Sequence, residues 1–169
     1  QRLFDNYKKE NLDNQEISGR IATHLSLTNV LRRSFKKVDG GYVIVGMIGT
    51  GDAFVVRDPN GIRPAYYYED EEIVVVASER PPIQTALGVR YRNVHEIPPG
   101  HAVIIGRDGD FKVEKIIEPA ERRACSFEHI YFSRGNDRTI YLERKQLGRQ
   151  LAEPICRAVN YDFDNTVFA

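Results

Sequence analysis

The stretch Val55-Val56-Arg57-Asp58-Pro59-Asn60-Gly61-Ile62-Arg63-Pro64-Ala65-Tyr66-Tyr67-Tyr68 joins two apolar runs through a charged turn. The proline fixes one backbone angle and the Asn60-Gly61 pair tolerates positive φ, so the stretch predicts a strand, a tight turn and a second strand. Two guanidinium groups, Arg57 and Arg63, flank the carboxylate of Asp58 at this turn. The residue types allow two roles for this cluster: an ion pair that fixes the loop, or direct contact with a ligand.

Further short apolar runs flank this stretch, and turn residues bound each of them. They predict a meander of at least four antiparallel strands and then three more strands, at 42–49, 53–57, 66–68, 73–76, 94–97, 102–105 and 111–117. The run at 42–49 is almost continuously apolar, which predicts a strand buried on both faces. The chain is therefore expected to build a largely antiparallel sheet.

Helical periodicity is found on either side of these strands. Apolar residues spaced three and four apart predict helices at 3–12, 17–35 and 140–159. Pro154 lies inside the last of these helices and is expected to bend it. Helices combined with largely antiparallel strands predict an α+β fold.

Three shorter segments complete the predicted elements. Ser78 and Glu79 precede one or two helical turns at 83–87 and are candidates for the N-terminal cap of that helix. Residues 127–133 alternate as in a strand, and 165–169 predict the beginning of another strand.

The composition of the 169 residues, 41% hydrophobic and 28% charged, is typical of one soluble globular domain. The 24 basic and 24 acidic residues create no net field that would attract nucleic acid or an anionic membrane, so small-molecule or protein partners are expected. Cys125 and Cys156 are too few for a disulfide framework or a complete metal site, as in a reducing compartment. No run is long enough to cross a bilayer and the polar start is no signal peptide, which predicts a cytoplasmic protein.

Two motifs indicate a family. The turn 57–64, followed by Val75-Val76-Ala77-Ser78-Glu79, resembles the glutaminase domain of class II glutamine amidotransferases, which are N-terminal-nucleophile (Ntn) hydrolases. The resemblance implies a fragment of an αββα sandwich. The motif positions in this chain are Arg57, Asp58, Asn60, Gly61, Arg63, Ser78 and Glu79. Asparagine synthetases and amidophosphoribosyltransferases share this turn, so the turn alone does not distinguish them.

The second motif, Ala124-Cys125-Ser126-Phe127-Glu128-His129-Ile130-Tyr131-Phe132-Ser133-Arg134-Gly135-Asn136-Asp137, favours the amidophosphoribosyltransferases. It resembles the segment in which their chain leaves the glutaminase domain and enters the phosphoribosyltransferase domain. The resemblance implies that 1–124 form the C-terminal part of a glutamine amidotransferase domain. It also implies that 125–169 form the crossover and the first elements of an α/β phosphoribosyltransferase domain.

The resemblance also implies what the whole protein does. Such an enzyme transfers glutamine-derived ammonia to phosphoribosyl diphosphate and so makes phosphoribosylamine in the first step of purine nucleotide biosynthesis, typically as a homo-oligomer. The chain begins at Gln1 without an initiating Met, inside a helical pattern, and is expected to be a piece of such a protein. In the family a terminal Cys attacks glutamine, and an asparagine–glycine pair stabilises the oxyanion. No position here matches these groups, so no catalytic residue and no glutaminase activity are expected in this chain.

The same resemblance bears on cofactors. None is expected in this chain, whereas Mg²⁺ is implied for the whole protein. Some family members bind an iron–sulfur cluster with one ligand at the position of Cys125, and the alternative for Cys125 is an ordinary small buried residue.

Two other functions stay open at this stage. The protein could be an asparagine synthetase or another class II glutamine amidotransferase. It could also be a non-catalytic relative that uses the fold for binding.

Overall fold

The computed structural model describes residues 2–168 of the chain. These residues form two compact units: the first contains residues 2–63 and Ile97–Arg123, and the second contains Pro64–Glu96 and residues 124–168. Each unit combines helices with an antiparallel sheet, which confirms the predicted α+β content. The predicted domain boundary between residues 124 and 125 stays a prediction.

Residues 2–168 contain seven strands, and their bounds are β1 Val43–Met47, β2 Ala53–Arg57, β3 Tyr66–Glu69, β4 Val74–Ala77, β5 His95–Glu96, β6 His101–Ile105 and β7 Phe111–Lys115. In the first unit the sheet order is β1-β2-β6-β7, and in the second it is β4-β3-β5. All pairs are antiparallel. The predicted meander of four consecutive strands is wrong, because β2 pairs with β6 and not with β3. The turn after β2 directs its N–H groups to the Asp58 carboxylate, so it does not close a hairpin.

The first unit begins with three short helices, α1 Arg2–Lys8, α2 Asn14–His24 and α3 Leu27–Ser34, and a 3₁₀ turn, Phe35–Lys37. The helix predicted at 3–12 therefore ends early, at Lys8. The single helix predicted at 17–35 is wrong, because Leu25 and Ser26 have extended backbone angles. Ser26 Oγ accepts a hydrogen bond from Asn29 N and so caps a new helix.

The core of the first unit lies between α3 and one face of its sheet. Leu27, Leu31 and Phe35 recur every four residues and pack in one cluster with sheet residues that include Val56 and Ala102. Arg32 ties α3 to the end of β7, because its Nε and Nη2 both donate to the carbonyl of Lys115, at 3.2 and 3.1 Å.

The expectation that the 42–49 strand is buried on both faces is wrong. β1 lies at the edge of the sheet that the described residues form, and Val45 and Met47 are 70% and 76% exposed. The apolar run therefore predicted a strand correctly, but the described residues bury this strand only in part.

The helices of the second unit are α4 Arg80–Leu87 and α5 Arg138–Ala158, with a 3₁₀ turn at Tyr91–Asn93. α4 is longer than predicted, because prolines, which lack an N–H group, fit the first turn of a helix. The predicted helix with Pro154 inside it is confirmed as α5. None of the helices described in 2–168 combines the length and apolarity needed to cross a membrane.

The strand predicted at 127–133 is wrong. Glu128–Phe132 form a π-helical turn, in which Ser133 N donates to Glu128 O at 2.8 Å. The side-chain alternation misled because Phe127, Tyr131 and Phe132 are all exposed and define no buried face. Arg144 of α5 donates to the carbonyls of His129 and Ser133, which a strand would instead offer to a neighbouring strand.

The strand predicted at 165–169 does not form over residues 165–168. Gln1 and Ala169, at the two ends of the sequence predictions, lie outside the described residues.

Replacing Tyr42 by Phe should stabilise the first unit. The Tyr42 hydroxyl is buried and has no hydrogen-bond partner among the described residues, while the ring packs against Phe35 with 5.6 Å between centroids. Removing an unsatisfied buried hydroxyl is expected to raise the free energy of unfolding by about 1 kcal/mol. Urea denaturation measures this, and Tyr7→Phe in α1 is the control with the same chemical change. A loss of stability in Tyr42→Phe would show that the hydroxyl has a partner.

Candidate functional site

Five of the seven predicted motif residues meet in the turn that follows β2, and all five belong to the first unit: Arg57, Asp58, Asn60, Gly61 and Arg63. Ser78 and Glu79 lie in the second unit, between β4 and α4. The structure therefore gathers the turn residues of the first motif in one place and puts Ser78 and Glu79, the end of the same motif, in the other unit.

Asp58 organises the turn from a fully buried position. Its Oδ1 accepts hydrogen bonds from Asn60 N at 3.1 Å and Ile62 N at 2.9 Å, and its Oδ2 accepts one from Arg63 N at 3.1 Å. Bonds from N–H groups to an ionised carboxylate are stronger than neutral ones, so they offset the desolvation of the charge. Burial is the main cause that raises the pKa of Tyr42, and the charge of Asp58 raises this pKa further.

Arg57 holds the same turn through main-chain carbonyl groups, and only 2% of the residue is exposed. Its Nε donates to Arg63 O at 2.7 Å, Nη1 to Ile97 O at 2.6 Å and Nη2 to Gly61 O at 3.2 Å. Gly61 has a φ of +62°, and a Cβ there would lie 2.9 Å from Pro99 Cγ. The turn therefore needs glycine for both its backbone angle and its close packing.

These contacts give Arg57 and Asp58 a structural role in the turn. These hydrogen bonds run from both side chains to the main chain. The predicted bonds between the guanidinium groups and the Asp58 carboxylate stay a prediction. Two of the acceptors, Gly61 O and Arg63 O, are local, but Ile97 O comes from 40 residues further along the chain. Arg63 itself is exposed at the surface. Contact of this motif with a ligand stays a prediction.

Ser78 and Glu79 do not provide the predicted helix cap. Glu79 occupies the N-cap position of α4, but its side chain makes no capping hydrogen bond, and Ser78 is exposed. Instead, Glu79 Oε2 accepts a hydrogen bond from Arg134 N at 3.1 Å. The carboxylate is therefore engaged with the segment before α5 and not with its own helix.

Arg80 is the central side chain of the second unit, and sequence reasoning missed it. The carbon of its guanidinium group lies 4.2 Å from the ring centroid of Tyr66 and 4.8 Å from that of Tyr91. Its Nη1 is 3.5 Å from Asp137 Oδ2, and its Nε is buried without a hydrogen-bond partner in residues 2–168. Stacking between two aromatic faces stabilises a weakly hydrated cation such as guanidinium.

Asp137 and Tyr91 connect this arginine to the start of α5. Asp137 Oδ1 accepts hydrogen bonds from Thr139 N at 2.8 Å and Ile140 N at 3.2 Å, which caps the helix. The Tyr91 hydroxyl is 2.7 Å from Thr139 Oγ1. The sequence signal for this arrangement was an aspartate before a helical pattern, but nothing in the sequence paired it with an arginine 57 residues away.

A small cleft borders this cluster, and its lining includes Tyr66, Glu79, Arg80, His129, Asp137 and Thr139. His129 Nδ1 lies 2.5 Å from Glu143 Oε2. The charged groups of the cleft are thus held by one another and by the main chain. Both cysteines are free thiols, and no group of three or more metal-binding side chains occurs in the described part of the chain. The contacts of Arg80 and Asp137 therefore order the second unit.

Arg57→Lys tests the three-carbonyl arrangement in the first unit. A lysine ammonium keeps the charge but cannot reach three separate acceptors as a planar guanidinium does. We expect the free energy of unfolding to fall by about 3 kcal/mol, because buried carbonyls lose charge-assisted hydrogen bonds. Urea denaturation gives the value, and Arg63→Lys, at an exposed position in the same turn, should change it by less than about 0.5 kcal/mol. Equal effects of the two substitutions would contradict the assignment.

A second pair of variants separates the two roles of Asp137. Asp137→Ala removes the helix cap and is expected to destabilise the protein by about 1–2 kcal/mol. Asp137→Asn keeps an oxygen that can cap α5 but loses the charge that faces Arg80, so we expect less than half of that loss. Thermal unfolding followed by circular dichroism measures both. If the Asn variant were as unstable as the Ala variant, the ion pair and not the cap would dominate.

The sequence and the fold of this chain were compared with those of known proteins. No family model matches the chain. The amidophosphoribosyltransferase of Bacillus subtilis is 33% identical over 134 residues, which are 77% of this chain and 27% of the relative. The Haemophilus influenzae amidophosphoribosyltransferase is 28% identical over 170 residues, 96% of this chain and 31% of the relative. The chain thus spans about 30% of the length of the curated relatives that it matches.

Two solved structures resemble the fold. One is the glutamine phosphoribosylpyrophosphate amidotransferase from B. subtilis complexed with ADP and GMP, with a TM-score of 0.53. The other is described as the allosteric regulatory enzyme of purine biosynthesis, with a TM-score of 0.57. Each is 27% identical, and each match covers 80% of this chain and 30% of the other. The chain therefore has homologues that are amidophosphoribosyltransferases, and it corresponds to a part of them and not to their full length.

Proposed function

We propose that this chain is part of a protein that transfers glutamine-derived ammonia to phosphoribosyl diphosphate. The product would be phosphoribosylamine, in the first step of purine nucleotide biosynthesis. One observation carries the proposal: nearly the whole chain matches proteins named amidophosphoribosyltransferase. The substrates of the whole protein would be glutamine and phosphoribosyl diphosphate, and the protein would act in the cytoplasm as a homo-oligomer.

Within such a protein, this chain would supply scaffold. The side chains at its two ordered centres, Arg57 with Asp58 and Arg80 with Asp137, bond to the main chain or to each other. They are therefore engaged in holding local structure. Cys125 and Cys156 are internal to the chain, so neither has the free α-amino group that serves as the base for a terminal nucleophile. The second sequence motif supports the further proposal that residues 1–124 and 125–169 belong to different domains.

The proposed cofactors belong to the whole protein. We propose Mg²⁺ there, as a partner of the diphosphate group. An iron–sulfur cluster needs several thiolates, and this chain contains only two cysteines, so its residues do not form a cluster site by themselves. Cys125, a partly buried free thiol, would supply at most one ligand.

The alternatives considered from the sequence gain no support. The turn at 57–64 is compatible with asparagine synthetases, but the named relatives and solved structures are amidotransferases of phosphoribosyl diphosphate. No contact within either unit, over residues 2–168, points to a purely binding function.

The proposal is tested on the longest natural protein that contains this chain. Purified, it should release glutamate and diphosphate when glutamine, phosphoribosyl diphosphate and Mg²⁺ are all present, and omission of phosphoribosyl diphosphate should abolish diphosphate release. Diphosphate release that required ATP and aspartate instead would point to the asparagine synthetase reaction. Absence of either reaction in a folded protein would favour a non-catalytic relative.

The chain of 169 residues should have no glutaminase activity of its own. A side chain elsewhere in the sequence cannot replace an absent nucleophile and oxyanion hole. Ammonia release from glutamine, followed with a coupled dehydrogenase assay, should equal the rate without protein. A saturable rate that disappeared in Cys125→Ala but persisted in Cys156→Ala would overturn this expectation and identify Cys125 as a nucleophile.

A further inference from the structure

The turn 57–63, which is fixed by Arg57 and Asp58, also contacts other segments at which the chain passes between the two units. The chain passes from one unit to the other at three places: after Arg63, before Ile97 and after Arg123. All three residues belong to the first unit, so they are the points at which the chain leaves or enters that unit. Arg63 is the last residue of the turn 57–63, and Ile97 and Arg123 are hydrogen-bonded to that turn.

Arg57 holds two of these points. Its Nε donates to Arg63 O at 2.7 Å and its Nη1 to Ile97 O at 2.6 Å. One planar guanidinium group thus fixes two main-chain segments that are distant in sequence. Gly100 N adds a bond of 3.0 Å to Asp58 O, which keeps the segment after Ile97 against the same turn.

Asn60 and its neighbour hold the third point. Ala120 N donates to Pro59 O at 2.9 Å, and Arg123 N donates to Asn60 O at 2.8 Å. The side-chain amide of Asn60 donates to Glu121 O at 2.9 Å. The segment 118–123, here called the strap, is therefore fastened by one side chain and two main-chain bonds.

The backbone does not explain why position 60 is an asparagine. Asn60 is not among the residues with positive φ, so its conformation is open to other residue types. The Asx-type bonds of the turn come from Asp58, which accepts from Asn60 N and Ile62 N. The remaining property of Asn60 is its side-chain amide, and that amide bonds to the strap.

We propose that the turn 57–63, here called the clasp, holds together the three places at which the chain enters or leaves the first unit. Asn60 makes the contact of the clasp that can open. On the Arg57 side of the clasp, the guanidinium group is buried and makes three hydrogen bonds, so these bonds persist as long as the unit is folded. The Asn60 side is solvent-accessible and binds the strap through one side-chain amide and two main-chain hydrogen bonds, so the strap can open while the sheet remains intact. The clasp is a property of the first unit and does not depend on the proposed reaction.

Limited trypsin digestion of the full chain tests this proposal. Arg122 and Arg123 are exposed in the strap, and Arg107 is exposed in the β6–β7 turn of the same unit, where it serves as an internal reference. Asn60→Ala removes the amide bond, and one lost hydrogen bond of ordinary strength shifts the opening equilibrium by about fivefold. We therefore expect cleavage after Arg122 and Arg123 to become about fivefold faster, with cleavage after Arg107 unchanged.

Glu121→Ala is the matched control. It removes the exposed ion pair between Glu121 and Arg123, at 3.2 Å, but leaves the Glu121 carbonyl that Asn60 contacts. Its strap should be cleaved at the wild-type rate. The proposal is overturned if Asn60→Ala leaves strap cleavage unchanged, if Glu121→Ala accelerates it equally, or if cleavage after Arg107 rises to the same extent. Hydrogen exchange at the amides of Ala120 and Arg123 should show the same acceleration in Asn60→Ala.

Discussion

The guanidinium group of Arg57 is the interaction on which the first unit most depends. It is buried at the end of β2 and donates to the main-chain carbonyls of Arg63, Ile97 and Gly61. A buried charge is tolerated only when its donors are satisfied, so the positions of Gly61, Arg63 and Ile97 are coupled to one another. Asp58 completes the arrangement from the other side of the turn, where it accepts from N–H groups. A rigid turn with two buried charges thus stands at the point where a hairpin was expected.

The second unit is ordered by the same residue type in a different way. Arg80 is held by two tyrosine rings and by the aspartate that caps α5, so one cation joins β3, the 3₁₀ turn and the two helices. In the first unit an arginine is fixed by oxygen acceptors, and in the second it is fixed mainly by aromatic faces. Both arrangements use a planar guanidinium group, so lysine is expected to be a poor substitute at either place.

Much of the fold could be predicted because it rests on local signals. Most strand positions, the strands that form the β6–β7 hairpin, the end of α4 and most of α5 followed from glycine, proline and periodicity. The wrong predictions concern segments whose structure depends on contacts that the local sequence pattern does not show. The 17–35 pattern could not show that Ser26 would cap a new helix, and the alternation at 127–133 could not show that Arg144 would bind the carbonyls there. The motif residues at the charged turn were likewise visible in the sequence, whereas main-chain acceptors such as Ile97 O carry no residue signature and become partners only through the fold.

The two faces of the sheet in the first unit differ in what covers them. Val56 and Ala102 point to the face that α3 covers, whereas Val45 and Met47 of β1 lie on the other face and remain largely exposed. Val55 and Val103 share that second face with them and are buried. The middle of this apolar face is buried and its edge is exposed to solvent. Burying the edge under further apolar side chains would lower the free energy, because apolar surface would be removed from water. The exposed apolar side chains of β1 are therefore the place on this face where a further apolar contact would stabilise the first unit.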